Sequence, residues 1–301
     1  MLTEPDPRQE GPAKENVCAI VVSYFPEGDF CSRLRQIQKQ VAHVVVIDNA
    51  SSDETAKLLE TAQTELGITL IRNQANLGIA TALNQGTAWA KEMGYAWCLL
   101  FDQDTTPSPY MLQKLIEVYI QFPRKNFLAV LGSNYGDRGT AGDTVPKTQL
   151  WVHRRTVITS GSLVSLAALD RIGPFRDEFF IDCVDFDFCL RARSMGFEVV
   201  EAVEPIMAHS IGSPTRHRLL WSRQEVFNHA PFRWYYKTRN NIVLCGEYLW
   251  KDPAWVIEAI CARILESLLM LLFEESKLPK VKYMTSGLCD GLTGRLGRIT
   301  G

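Results

Sequence analysis

Apolar and polar positions fall in blocks along this chain, and the blocks read as strand, helix, strand. Val17-Cys18-Ala19-Ile20-Val21-Val22-Ser23-Tyr24 is a continuous, largely β-branched run, which predicts a strand buried on both faces and ended by Phe25-Pro26-Glu27-Gly28. A helical period follows over about residues 30–40, and residues 41–47 give a second buried strand that ends in Asp48-Asn49-Ala50-Ser51-Ser52-Asp53. That spacing is a βαβ unit, whose strands are parallel. Ser52 or Asp53 can cap a helix over residues 54–66, with Gly67 as its stop, and residues 68–72 make the next short strand. Asn76 and Gly78 then precede a helix reaching about residue 93, and residues 97–101 fill another buried strand.

Open parallel sheets bind ligands beyond the carboxyl ends of their strands, and there this sequence turns polar, at Ser23 and Tyr24, at Asp48 and Asn49, and at Asp102. The last is the sharpest break, an apolar run passing directly into Asp102-Gln103-Asp104 before Pro107. In an extended chain residues i and i+2 share a side, so the two carboxylates converge on one point. Oxygen ligands of this kind suit Mg²⁺ or Mn²⁺, which keep water and substrate phosphates in their remaining positions. The plainer alternative is a turn with solvated acids. No GxxxxGK[ST] or GxGxxG run is present, so a cation on Asp102 and Asp104 is the available means of neutralising phosphate.

The second half adds further acids. Residues 156–166 read as a strand interrupted at Gly161, a mark of close backbone approach or of a packing bulge, and residues 167–173 as a short helix. Asp182, Asp185 and Asp187 stand among apolar residues, where an acid is costly to ionise unless paired or functional. If that stretch is helical, Asp182 and Asp185 share a face at i, i+3, while Asp187 lies elsewhere with Arg191 at i+4 as partner. His209 follows a strand over residues 199–203 and, set near apolar residues, reads by itself as a hydrogen-bonded core histidine. A basic, proline-punctuated stretch near residues 213–230 reads as a mobile loop. From 255 to 273 the chain is strongly apolar, but Glu258, Arg263 and Glu266 interrupt it and the uncharged 267–273 is too short to span a bilayer. It packs on the domain or lies on a membrane surface.

Composition narrows the class. With 301 residues, 46% hydrophobic and 22% charged, the chain is ordinary globular material, and a net charge of −2 gives no electrostatic case for nucleic acid. Eight cysteines without a CxxC pair point to reduced thiols and a cytoplasmic setting. The polar opening lacks a signal peptide's apolar core, and residues 1–15 read as a loose tail.

The ordered series Val22-Ser23-Tyr24, Ile47-Asp48-Asn49-Ala50-Ser51-Ser52-Asp53-Glu54-Thr55, Asn76-Leu77-Gly78 and Asp102-Gln103-Asp104 resembles the inverting family 2 glycosyltransferases of GT-A fold. It is most similar to bacterial rhamnosyltransferases that use dTDP-L-rhamnose, over about residues 17–241. The resemblance implies an α/β GT-A domain over residues 16–212, a mostly parallel sheet flanked by helices, and a mainly helical extension over 213–301. It implies that Asp48 hydrogen-bonds the pyrimidine base, that Ser23, Tyr24, Asn49, Asn76, Gly78 and Gln103 line the nucleotide sugar, and that Asp102 and Asp104, with His209, hold the metal. Gly161 falls near sugar or acceptor, and Arg239, in Tyr235-Tyr236-Lys237-Thr238-Arg239-Asn240, either meets phosphate or anchors a helix. Related enzymes carry a Glu-Asp pair whose aspartate is the base; Val184 matches the glutamate, Asp185 the aspartate, and Asp182 is an added acid, so the choice of base between them stays open.

The activity so implied is transfer of L-rhamnose from dTDP-L-rhamnose to a sugar hydroxyl of a growing surface polysaccharide such as O-antigen or capsule. The acceptor would be lipid-linked and the enzyme peripheral on the inner face of the cytoplasmic membrane. The alternatives are another nucleotide sugar as donor, or a non-catalytic scaffold for glycan assembly, which has no need of Asp48, Asp102, Asp104 and Asp185 together. A sugar nucleotidyltransferase needs a glycine-rich, lysine-bearing loop after the first strand, which Phe25-Pro26-Glu27-Gly28 does not supply.

Overall fold

The computed structural model describes residues 10–135, 146, 148–208, 215–219, 222–226 and 228–299. The chain divides into two compact units, Met1–Arg176 with Asp185–His209, and Asp177–Val184 with Ser210–Gly301.

The first unit opens with β1 (Val17–Ser23), α1 (Phe30–Gln38), β2 (His43–Asp48), α2 (Asp53–Leu66), β3 (Thr69–Arg72), α3 (Ile79–Glu92) and β4 (Trp97–Asp102). These strands lie in the order β3-β2-β1-β4, all parallel, as the βαβ spacing requires. Val17, Cys18, Ala19 and Ile20 are wholly buried, which is what an uninterrupted apolar strand between two helical layers must be. Each large aliphatic side chain so buried is worth about 1.5–3 kcal/mol. Gly86 brings α3 close down on β1, since a Cβ there would meet Ile20 Cγ2 at 2.5 Å.

Beyond β4 the sheet becomes mixed. It continues through β5 (Thr106–Pro107), α4 (Met111–Gln121), β6 (Leu128–Tyr135), β7 (Trp151–His153), β8 (Ser162–Ser165), α5 (Leu166–Ile172), α6 (Val184–Ser194) and β9 (Glu198–Ala208). The path runs on from β4 as β8-β6-β9-β5, with β7 also on β9; β8 is antiparallel to both β4 and β6, whereas β6 and β9 are parallel. A four-residue strand buried along its whole length reads alike in either direction, so pattern alone does not expose this reversal. Residues 156–161, expected as part of a strand, lie outside β8.

The second unit holds a 3-10 turn at Asp177–Phe179, the strands β10 (Thr215–Leu219) and β11 (Ser222–Val226), and the helices α7 (Pro231–Tyr248), α8 (Pro253–Phe273) and α9 (Lys277–Thr293). β10 and β11 form an antiparallel hairpin, in register from Thr215 with Val226 to Leu219 with Ser222, where a mobile loop was expected. Their charge-rich sequences lack the apolar run that marked the other strands, and main-chain pairing needs none. α9 lies tight on α7, because a Cβ on Gly287 would fall 2.4 Å from the Tyr235 carbonyl oxygen.

α8 is amphipathic in an unusual sense. Ile257, Ile264, Leu268 and Leu272 are all more than half exposed, while Arg263 and Glu266 turn inward, Glu266 pairing with both Lys237 of α7 and Arg263. Among the described residues no helix is long and apolar enough to cross a membrane.

Candidate active site

Main-chain register sets the polar strand ends side by side. Ser23 of β1 pairs with Asp48 of β2, Val22 with Asp102 of β4, and Asp48 with Arg72 of β3, so Arg72, Asp48, Ser23 and Asp102 follow one another along the carboxyl edge of the parallel half. Two strand spacings separate Asp48 from Asp102, roughly 10 Å.

Asp48 is wholly buried and its oxygens are occupied. Oδ1 accepts from the Ser51 hydroxyl and, at 3.4 Å, from the Ser23 hydroxyl; Oδ2 accepts from the Ser51 amide at 3.2 Å and faces Arg72 Nε at 3.6 Å. The carboxylate thus closes the turn after β2, in which Ala50 takes the left-handed φ of 67°.

Beside it the Asn-x-Gly loop is cross-tied. Asn49 donates to the Gly78 carbonyl at 3.1 Å, Asn73 to Asn49 at 2.9 Å, and Asn76 accepts from the Gly78 amide at 2.9 Å. These bonds hold the amino end of α3, whose first amides face the same edge.

The Asp102-Gln103-Asp104 turn is held from three sides. Gln103 binds the main chain of Tyr24 twice, accepting from its amide at 2.7 Å and donating to its carbonyl at 3.0 Å, while Arg33 Nε donates to the Gln103 carbonyl at 2.8 Å. Buried Ser160 takes the Asp102 amide at 3.0 Å and bonds Thr105 at 2.6 Å. Neither Ser160 nor Arg33 stood out in the sequence. The one signal for Ser160 is its place beside Gly161, and Arg33 looks like any helix cation. Asp102 is half-buried and Asp104 exposed. Among the described residues no three His, Cys, Asp or Glu side chains form a metal cage. Gln103 and Asp104 form a turn rather than the extended chain expected, and the two carboxylates, both reached by solvent, are oxygen donors of the type a hard divalent cation takes alongside water and phosphate. His209 lies outside the described residues.

Gly161 is explained by packing. Its φ is +77°, and a Cβ there would come 2.3 Å from Met207 Sδ and 3.1 Å from Ser133 Cβ. The close approach expected at this glycine is thus made by the protein itself.

The acid cluster divides. α6 begins at Val184, so the helical premise for Asp182 fails: Asp182 precedes the helix in left-handed backbone, φ 63°, and does not share a helix face with Asp185. Its carboxylate takes a fork from Arg233, Nη2 at 2.5 Å and Nε at 3.2 Å. Burial pushes its pKa up, but the Arg233 charge and hydrogen bonds outweigh this and hold it below the usual range. Asp185 sits in the first turn of α6, half-buried, with Oδ1 accepting from the Phe186 amide at 2.9 Å. Asp187 is buried and pairs with Arg191 Nε at 2.8 Å, the i+4 bond the spacing predicted, and with Arg176 at 3.6 Å.

Arg239 is wholly buried, and its contacts assign it to anchoring. Nη2 donates to the carbonyls of Glu178 (2.9 Å) and Phe179 (3.2 Å), Nη1 to that of Gly297, and Nε to Asn240 Oδ1 (2.9 Å). Four of the five guanidinium N–H groups are thus spent on main chain and Asn240, in a side chain that solvent does not reach.

Residues 18–162, which span β1 to the start of β8, match the glycosyl transferase family 2 model. The chain carries a family 2 glycosyltransferase domain. It is 25% identical to the dTDP-rhamnosyl transferase RfbF of Shigella flexneri, over 94% of this chain and 97% of that one. The fold is that of GT-A enzymes: the S. aureus TarS 1-349 structure in complex with UDP-GlcNAc superposes with a TM-score of 0.59 at 16% identity, covering 92% of this chain and 81% of that one. The chain covers 49% of a longer TarS structure. The mannosyltransferase PcManGT from Pyrobaculum calidifontis, in complex with GDP-Man and Mn²⁺, gives a TM-score of 0.58 at 14% identity over 97% of this chain and 90% of that one. In this glycosyltransferase domain the polar carboxyl edge belongs to the part of the chain that the family model covers.

Proposed function

We propose that this chain transfers L-rhamnose from dTDP-L-rhamnose to a sugar hydroxyl of a growing, lipid-linked surface polysaccharide, with inversion at the anomeric carbon. The observation that carries the donor reading is the end-to-end relationship to dTDP-rhamnosyl transferase RfbF. The register that lines up Arg72, Asp48, Ser23 and Asp102 supports a nucleotide lying along that edge, base toward Asp48 and diphosphate toward Asp102.

In this reading Asn49, Asn76 and Gly78 hold the nucleoside wall, and Gln103 fixes Tyr24 beside it. Asp102 and Asp104 are the residues that would hold Mg²⁺ or Mn²⁺, which when bound supplies positive charge against a leaving diphosphate. Asp185 takes the proton of the acceptor hydroxyl as that oxygen bonds to the anomeric carbon and the bond to the diphosphate breaks. One displacement gives one inversion. Asp182, bound by Arg233, is a poorer base, because its pairing favours the ionised form. The exposed apolar face of α8 suits contact with the membrane surface that carries such an acceptor.

A different nucleotide sugar is the second reading, because the fold is shared with proteins crystallised with UDP-GlcNAc and GDP-Man. Calorimetric titration of the purified protein with dTDP-rhamnose, UDP-GlcNAc and GDP-mannose, each with Mn²⁺, separates the two. The expected result is binding of dTDP-rhamnose at least tenfold tighter than of the others; preference for either alternative donor would overturn the rhamnose assignment.

A further inference from the structure

The segment from Glu178 to Cys183 is strained and tightly held. Phe180, Asp182 and Cys183 all take left-handed backbone, with φ of 64°, 63° and 60°, and none of them is glycine. Such conformations persist only where the surroundings over-determine them, and they gather where position matters to function. Here the surroundings are one face of α7. The Asn240 side-chain amide lies 3.0 Å from the Phe179 carbonyl, 3.0 Å from that of Ile181 and 2.8 Å from that of Asp182, three acceptors around a group with two hydrogens. Arg239 adds bonds to the carbonyls of Glu178 and Phe179, Arg233 grips the Asp182 carboxylate, and the Phe180 ring stacks on Tyr236 with centroids 5.0 Å apart.

This collar ends where the proposed base begins. Only Cys183 and Val184 stand between Asp182 and Asp185, and Val184 is the first residue of α6. A change in the backbone at Asp182 or Cys183 would pass along the chain into the first turn of α6, where a base must be held to a fraction of an ångström. We propose that Asn240 is a positioning residue for Asp185, with Arg233 as its partner, the two fixing the strained turn from which α6 starts. The inference rests on the reading of Asp185 as base.

The test is a mutant cycle on Asn240→Ala and Asp185→Asn in the full chain. The rate is single-turnover consumption of dTDP-rhamnose with a solubilised bacterial glycolipid fraction as acceptor, expressed per donor-binding site counted by calorimetry. Counting sites removes the effect of a merely destabilised protein, which loses sites but not rate per site. Asn240→Ala should lower the rate per site at least tenfold with donor affinity within about twofold, and should add little further loss on top of Asp185→Asn, because it acts through that residue. Arg233→Lys keeps a charge beside Asp182 and loses the fork; it should slow each site severalfold, and it serves if Asn240→Ala does not fold. An unchanged rate per site in the folded variants overturns the proposal, as does full additivity with Asp185→Asn. A normal rate in Asp185→Asn alone would instead overturn the base assignment, which is a separate result.

Discussion

Asp104 and His229 are single side chains whose surroundings give sharp expectations. Asp104 is exposed at the end of a turn tied down through Gln103, Arg33 and Ser160. Asp104→Ala should therefore abolish Mn²⁺-stimulated binding of dTDP-rhamnose while leaving the melting temperature within a degree or two, read by calorimetry and by circular dichroism. His229 is buried, and burial first, then the charges of Lys237 and Arg233, lower its pKa from 6.5 to about 3. A histidine held neutral in the fold but free to protonate when unfolded contributes stability that is complete above pH 6.5 and lost as pH falls toward 3. The slope in that window is about 1.4 kcal/mol per pH unit. Asp182 and Glu266, both held below their ordinary values by neighbouring cations despite burial, add to the loss at its acid end. Thermal melts of the protein between pH 7 and pH 4 should fall steadily, and His229→Gln should flatten that fall; an equally steep fall in the variant would remove His229 from the account.

Among the elements, α8 carries the clearest consequence. Its outward face holds Ile257, Ile264, Leu268 and Leu272, while its charged Arg263 and Glu266 are spent inward on Lys237 and each other. If that face meets lipid, the protein should sediment with phosphatidylglycerol vesicles, and Ile264→Glu with Leu268→Glu should release it without lowering the melting temperature. Sedimentation unchanged by the pair would refute the contact. Leu269, only 7% exposed, is the matching control, since Leu269→Glu buries a charge and should unfold the helical unit. The elements legible in the sequence were those whose burial leaves a period: β1, β2 and β4 begin or end within about two residues of their apolar runs, and Gly67 closes α2 in the left-handed conformation expected of it. The β10–β11 hairpin was illegible because main-chain pairing leaves no apolar signature, and the start of α6 because three left-handed residues without a glycine leave none either.

At the scale of the molecule, the sequence located the acids but not what holds them. Asp48 and Asp102 could be placed at strand ends because a buried strand that turns acidic is rare; the register that sets them along one edge follows from βαβ topology. Ser160 under Asp102, Arg72 beside Asp48 and the Asn240 amide under the carbonyls of Phe179, Ile181 and Asp182 come from distant parts of the chain, and local pattern is silent about them. What those supports are for is a claim about chemistry, and one measurement reaches it most directly. Wild-type protein and Asp185→Asn are given radiolabelled dTDP-rhamnose, Mn²⁺ and a solubilised bacterial glycolipid fraction, and label is followed into lipid in a single turnover. The account predicts transfer by the wild type and a loss of about 10²–10⁴-fold in Asp185→Asn at nearly unchanged donor affinity. Transfer at the wild-type rate by Asp185→Asn, or label moving only from a UDP-sugar and never from dTDP-rhamnose, would contradict it.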